Sequence, residues 1–230
     1  MGGDGQSRPA AELASAEQRP ARTRDRPRPH EGTSEAEVAI FEATERLLSE
    51  HSLQDISVAQ IIAEAGLSRA TFYFYFGSKY SVAASLLGRI TDEIFEFVQP
   101  FVNRRSEDSP QEALAQSLLA AIDIWERHRP TLRATLQYWS TNDELGQQWV
   151  AGVELFTEAI AGQIERDRRD GLAPPGPEPR QLAATLLWGT QHCLFAAGLG
   201  VDDDLPDERG AYEPLLATWS RAIYGVVGGG

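Results

Sequence analysis

Apolar residues recur along most of this chain at intervals of three and four, the spacing of one face of an α-helix. Ile40, Phe41, Thr44, Leu47 and Leu48 form such a stripe behind Ser34-Glu-Ala-Glu37, a capping box in which hydroxyl and carboxylate satisfy amides at a helix start. This predicts a first helix ending near Glu50. Ser57 and Gln60 repeat the box, and Val58, Ile61, Ile62 and Ala65 give a short second helix one apolar face. Gly66 is suited to stop that helix and Ser68 to cap the next, so the connection is only a few residues long. From 79 to about 103, Val82, Leu86, Ile90, Ile94, Phe97 and Phe101 predict one long helix. Further helices are expected over about 111–127, 130–140, 145–170, 180–198 and 208–224. The segments 104–110, 171–179 and 201–207 read as loops, the second because its prolines remove donors and clash with a preceding turn. No alternating strand pattern is present. The expectation is an all-α chain of about nine helices.

Composition refines this picture. An apolar fraction of 42% over 230 residues is ample for a packed core. The single cysteine, Cys193, excludes an internal disulfide, and no apolar run is expected to reach the ~20 residues that cross a bilayer, so a cytoplasmic protein without a membrane partner is expected. The formal charge of −13 opposes DNA binding by bulk attraction, so any such binding must be local. Residues 1–32 are rich in Pro, Arg, Ala and Gly with no apolar period, which predicts disorder. Within them Arg19, Arg22, Arg24, Arg26 and Arg28 stand against Asp25 alone, fitting either a solvated tail or an arm along phosphates.

Two short helices joined by a tight turn make a helix-turn-helix within residues 33–80. The second carries Arg69, Thr71, Tyr73 and Tyr75 in its first turns, donors and flat rings suited to the backbone and base edges of a DNA groove. The run Ile61-Ala-Glu-Ala-Gly-Leu-Ser-Arg-Ala-Thr-Phe-Tyr, with Tyr75-Phe76 and Ser78-Lys79 behind it, resembles the DNA-binding domain of the TetR family of bacterial one-component repressors. Its Phe-Tyr-Phe-Tyr-Phe segment is similar to the mycobacterial ethionamide-activator repressor branch. The resemblance implies phosphate contacts from Ser57, Tyr73, Tyr75 and Lys79, and places Arg69, Ala70 and Thr71 at base edges with Ser68 capping them. Phe72 and Phe76 belong to the core. Gly77 and Tyr80 depart from the family pattern, which often has proline and an acid there.

Residues 81–230 then form a helical body. Trp125, Trp139, Trp149, Phe156, Trp188 and Trp219 are many large rings, which fit either ordinary core or the wall of an apolar pocket. With the resemblance they imply an apolar small-molecule effector, oriented by Asp123, Gln137, Thr190 or Gln191. Family members pair their last two long helices with a twin, so Gly189, Cys193, Ala197 and Ile223, with Trp219, are the expected homodimer interface. Two-fold pairing suits a palindromic DNA operator with half-sites about 34 Å apart. The histidines and Cys193 show no metal spacing, and no catalytic residue, metal or cofactor is expected. The sequence thus predicts a DNA-binding transcriptional regulator, a ligand-released repressor. The alternative is a helical small-molecule-binding protein with little DNA affinity.

Overall fold

The computed structural model describes residues 34–225 apart from Ser106, so the arginine-rich segment lies outside the described residues. Ten helices follow one another: α1 Glu35–Glu50, α2 Val58–Ala65, α3 Arg69–Tyr75, α4 Lys79–Phe97, α5 Gln99–Val102, α6 Pro110–Arg127, α7 Arg129–Tyr138, α8 Asp143–Arg169, α9 Pro179–Leu199 and α10 Tyr212–Tyr224. No strand occurs among the described residues. The expected helix over 79–103 is two helices. Pro100 has no N–H to continue the ladder, and the chain turns at Val98, with φ −90° and ψ 0°. The last helix starts later than expected, at Tyr212, because the preceding residues are turns in which buried Glu208 accepts a fork of hydrogen bonds from Arg129.

The first three helices close around a small core. Ile40 and Phe41 of α1 meet Ile61 of α2, Phe72 of α3 and Phe76 beyond it, as the stripes predict, while Leu53 and Ile56 fill the floor from the α1–α2 loop. Phe41 and Phe76 pack edge-on, ring centroids 5.5 Å apart. This core continues without a break into α4 through Val82, Ala83, Ala84 and Leu86, and takes in Ala134 and Leu145 from the body. The body has two further clusters. One gathers Phe101, Leu114, Phe156, Ile160, Trp219 and Ile223, and the other Leu87, Ile90, Leu118, Trp125, Trp149 and Leu215.

Helix α4 joins head to body. Its 19 residues rise about 28 Å at roughly 1.5 Å each. It lies close against α8 because Gly152 presents no side chain there: a Cβ would stand 3.3 Å from the Thr91 methyl and hydroxyl. At the far end of the body, buried Asp167 of α8 accepts from Arg104, from Gln163 Nε2 at 2.8 Å and from Tyr224 Oη at 2.7 Å. These bonds fix the α5–α6 loop and α10 to the long helix.

Helix α9 corrects one expectation. It is long and apolar enough, by length and composition, to cross a membrane, and only 28% of its most apolar window is buried within the protein. The sequence reading missed this because Thr185, Gly189, Thr190, Gln191 and His192 interrupt the run without lowering its mean. The helix packs on α8, the most extensive helix pair in the fold, and its N-terminal Arg180 binds Glu154 and Glu158 of α8.

Candidate functional site

Three consecutive helix N-termini are capped by serines. Ser57 accepts the Gln60 amide at 3.2 Å and returns its hydroxyl to Gln60 Oε1 at 2.8 Å. Ser68 accepts the Thr71 amide at 3.0 Å, and Ser78 the Ser81 amide at 3.0 Å. Between the first two caps Gly66 takes the left-handed conformation, φ +66°, that ends α2 and turns the chain into α3. Phe72 is fully buried and fixes the rotation of α3. The remaining positions therefore face outward: Ser68, Arg69 and Ala70 are exposed and Thr71 half-buried, while Tyr73 is 45% and Phe74 64% exposed. Exposed rings of this size are costly in water without a partner surface.

Within this face the Arg69 guanidinium lies over the Tyr73 ring, 5.2 Å from its centroid, and its Nη2 donates to the Tyr73 hydroxyl at 3.5 Å. The pair is preorganised as a flat donor surface. Tyr73 also stands edge-on to Phe72 at 5.3 Å, which braces it from within. Tyr75 is placed differently: half-buried, it packs against the head core and meets Phe74 edge-on at 4.9 Å.

Lys79 has a role that the sequence did not suggest. Its Nζ donates to the carbonyls of Gln54 at 2.8 Å and Ile56 at 2.7 Å, tying the start of α4 to the α1–α2 loop. Burial lowers its pKa from the usual lysine value, against the opposing pull of Asp55. Two of its three donors are thus engaged within the head. Arg46 and Glu64 are bonded at 2.8 Å across α1 and α2. Since Arg46, Arg69 and Lys79 are the basic residues between 34 and 88, Arg69 is the cation that the described head presents on its outer helix.

The body contains an apolar cavity of about 110 Å³. Ile94 and Val98 at the end of α4, Phe101 of α5, Leu114 and Leu118 of α6 and Leu194 of α9 contribute to its wall. Of the expected ligand residues, Trp125, Phe156, Thr190 and Trp219 line it. Trp149 is instead buried against Leu87, Ile90 and Val153 in the neighbouring cluster. Trp139 and Trp188 stack on each other, centroids 5.6 Å apart, and are half-buried. Asp123 is bonded to Arg209 at 2.6 Å and Gln137 is exposed, so neither reaches the cavity. The aliphatic part of the wall went unassigned because its period is that of any core helix.

Of the expected pairing residues, Gly189 is exposed with open space at its Cβ, and Cys193 is half-buried, its thiol pKa raised by burial. Ala197 and Ile223 are each only 1% exposed, covered within the protomer itself, and so are removed from any such surface. The outward face at this place is instead a groove between α8 and α9, lined by Val150, Glu154, Gln181, Ala184 and Trp188 among others.

Residues 40–86 match the family of bacterial regulatory proteins of the tetR type, and residues 114–225 match the C-terminal domain of the transcriptional regulator EthR. The chain is 29% identical to the HTH-type transcriptional regulator EthR of Mycobacterium tuberculosis over 189 residues, 82% of this chain and 87% of that one. It is 29% identical to EthR of Mycolicibacterium smegmatis over 197 residues, 83% and 87% of the two chains. The fold is similar to SmeT, the repressor of a Stenotrophomonas maltophilia multidrug efflux pump, with TM-score 0.67, 19% identity and coverage of 82% and 92%. It is also similar to NalD, the secondary repressor of the MexAB-OprM pump in Pseudomonas aeruginosa, with TM-score 0.64, 24% identity and coverage of 82% and 96%. With a helix-turn-helix head matching one profile and the body behind it the other, the chain belongs to the TetR family of DNA-binding transcriptional regulators.

Proposed function

We propose that this protein is a homodimeric repressor that binds a palindromic operator and leaves it when an apolar small molecule enters the body cavity. The observation that carries this reading is α4. Its first turns, through Val82, Ala83 and Leu86, are part of the head core, and Ile94 at its other end is part of the cavity wall. A ligand that fills the cavity must press on the same rod that holds the reading helix. The triclosan complex of SmeT, a protein of similar fold, supports a small molecule in this architecture. To act, the ligand must prefer the conformation whose reading heads are wrongly spaced, since equal affinity for both states shifts nothing.

In this reading Arg69, Ala70 and Thr71 meet base edges, with the arginine fork on guanine and methyl groups against thymine. Tyr73 and Ser57 contact phosphates beside the α2 N-terminus, whose partial positive charge favours them. Ser68 holds α3 in register. Lys79 acts chiefly by positioning α4, with its remaining donor turned to the backbone, and Tyr75 chiefly by packing. Two protomers pair across the outer face of α8 and α9. Val150 is exposed there at 49%, and Gly189 admits a close approach. This pairing, rather than a membrane, covers the apolar surface of α9, and neither catalysis nor a cofactor enters.

A mobility-shift titration with the DNA flanking the protein's own gene tests the reading. The expected result is a discrete complex with two protomers per site that weakens steeply with salt. No shift at any salt would leave a small-molecule-binding protein, a reading that the seven acids against three bases between residues 34 and 88 would then support.

A further inference from the structure

The inference that follows rests on α3 entering the operator's major groove, as the second helix of a helix-turn-helix does. Six of the seven residues of α3 form three pairs, each four apart. Arg69 and Tyr73 lie on one flank, their polar groups turned to each other by the 3.5 Å bond from Nη2 to the hydroxyl. Thr71 and Tyr75 lie on the other flank, both half-buried, with the Thr71 hydroxyl 2.8 Å from that of the Ser68 cap. Ala70 and Phe74 make the crest between them. At roughly 100° per residue, each stands about 160° around the helix from the fully buried Phe72. The crest of the reading helix is thus apolar, and its donors stand at the sides. Phe74 is 64% exposed, the most exposed aromatic ring among the described residues. It is set edge-on to Tyr75, with centroids 4.9 Å apart and planes at 88°, and Tyr75 in turn packs on the head core. The direction of the ring is therefore fixed before DNA arrives.

We propose that Phe74 is a specificity-determining residue of the reading helix, and that it recognises a thymine in each half-site of the operator by the 5-methyl group. A phenyl ring offers neither donor nor acceptor. An edge of guanine, adenine or cytosine presents donors and acceptors that would lose water against it without gaining a bond. The thymine methyl is the apolar group that the major groove presents. Reach is sufficient, since α3 is about 10 Å long at roughly 1.5 Å per residue and the groove about 12 Å wide, so Ala70 on the first turn and Phe74 on the last both lie within it. Covering one methyl is worth about fourfold in affinity, and two, one under each protomer, about fifteenfold. Arg69 can fork onto a guanine from the flank at the same time, so the two residues read different bases.

The test uses the full-length protein and the DNA flanking its own gene, prepared once with thymine and once with uracil in place of every thymine, which removes the methyls and keeps the base pairing. Dissociation constants are read by fluorescence anisotropy at one salt concentration. The wild type is expected to bind the uracil duplex about fifteenfold more weakly. Phe74→Ala should weaken binding of the thymine duplex by a similar factor and lose most of the uracil penalty, while Phe74→Leu, which keeps an apolar side chain, should retain part of it. Random-sequence DNA should be bound equally by the wild type and Phe74→Ala, a result that a merely structural role would not give. Should Phe74→Ala fail to fold, Phe74→Gln, which is polar and of good helix propensity, is expected to lose the penalty in the same way. An undiminished uracil penalty in whichever of these two variants folds would overturn the proposal, as would a wild type indifferent to uracil. Either result leaves the operator reading intact as long as the wild type prefers the thymine duplex to random DNA, whereas the loss of that preference would remove both.

Discussion

At the scale of single residues, the reading face depends on one cation braced by one ring. Arg69→Ala is expected to cost about 1–3 kcal/mol of operator binding and to relax preference at one base pair, as measured on an operator series with single substitutions. Equal loss on operator and on random DNA would contradict its role at a base edge. Lys79→Ala should act mainly on stability. It removes two charge-assisted bonds to backbone carbonyls, one of them on the buried Ile56, and should lower unfolding free energy by about 1–3 kcal/mol in urea. A full-strength head that shows only a reduced salt slope would return Lys79 to the phosphate backbone. The inward placing of Phe72 and Phe76 was legible in the sequence, because they are apolar, four residues apart and so on one face of a helix, and both are buried. The engagement of Lys79 was not, since its partners lie 25 and 23 residues away and are carbonyls, which any residue can supply.

At the scale of elements, capping chemistry located the helices of the head. The boxes at Ser34 and Ser57 and the stop at Gly66 all form, because each is a bond between residues three or four apart. Gly66→Ala separates the backbone effect from packing, as no atom stands within 4 Å of its missing Cβ. With φ at +66°, the substitution should destabilise the head by about 1–2 kcal/mol in thermal or urea unfolding through conformation alone. An unchanged stability would mean that the turn is not what sets α2 against α3. Where the sequence reading ran helices on, at Val98 and before Tyr212, the apolar period continued through the break. Only the proline at 100 and the long-range fork between Arg129 and Glu208 decide those ends. The same ambiguity left Ile94 and Phe101 as plain core and Val98 unnamed, although all three wall the cavity.

At the scale of the whole molecule, head and body are joined by α4 and by an ionic contact at the α6–α7 junction. His128 Nδ1 lies 3.2 Å from Glu45 of α1 and its Nε2 lies 3.0 Å from Glu93 of α4. A neutral imidazole has one N–H, so only the protonated ring donates to both carboxylates. The bond to Glu45 raises the His128 pKa against the opposing effect of burial, and Glu93 adds to the rise. A raised folded-state value means that this contribution is complete below the unfolded value, near 6.5, and is lost as pH increases through the folded one. Stability should therefore decline from about pH 6.5 upward, and His128→Gln should flatten the decline when unfolding is followed across that range. A slope unchanged in the variant would assign it to other groups.

The central claim concerns coupling along α4, and linkage gives it a direct test. Binding of fluorescently labelled DNA from the flank of the protein's own gene is measured by anisotropy, without and with saturating para-butylphenol, a mainly apolar single-ring probe of the cavity. The account predicts weaker DNA binding with the phenol, and the phenol must then bind the DNA-bound protein more weakly by the same factor. Phenol that occupies the cavity while DNA affinity stays the same would contradict it.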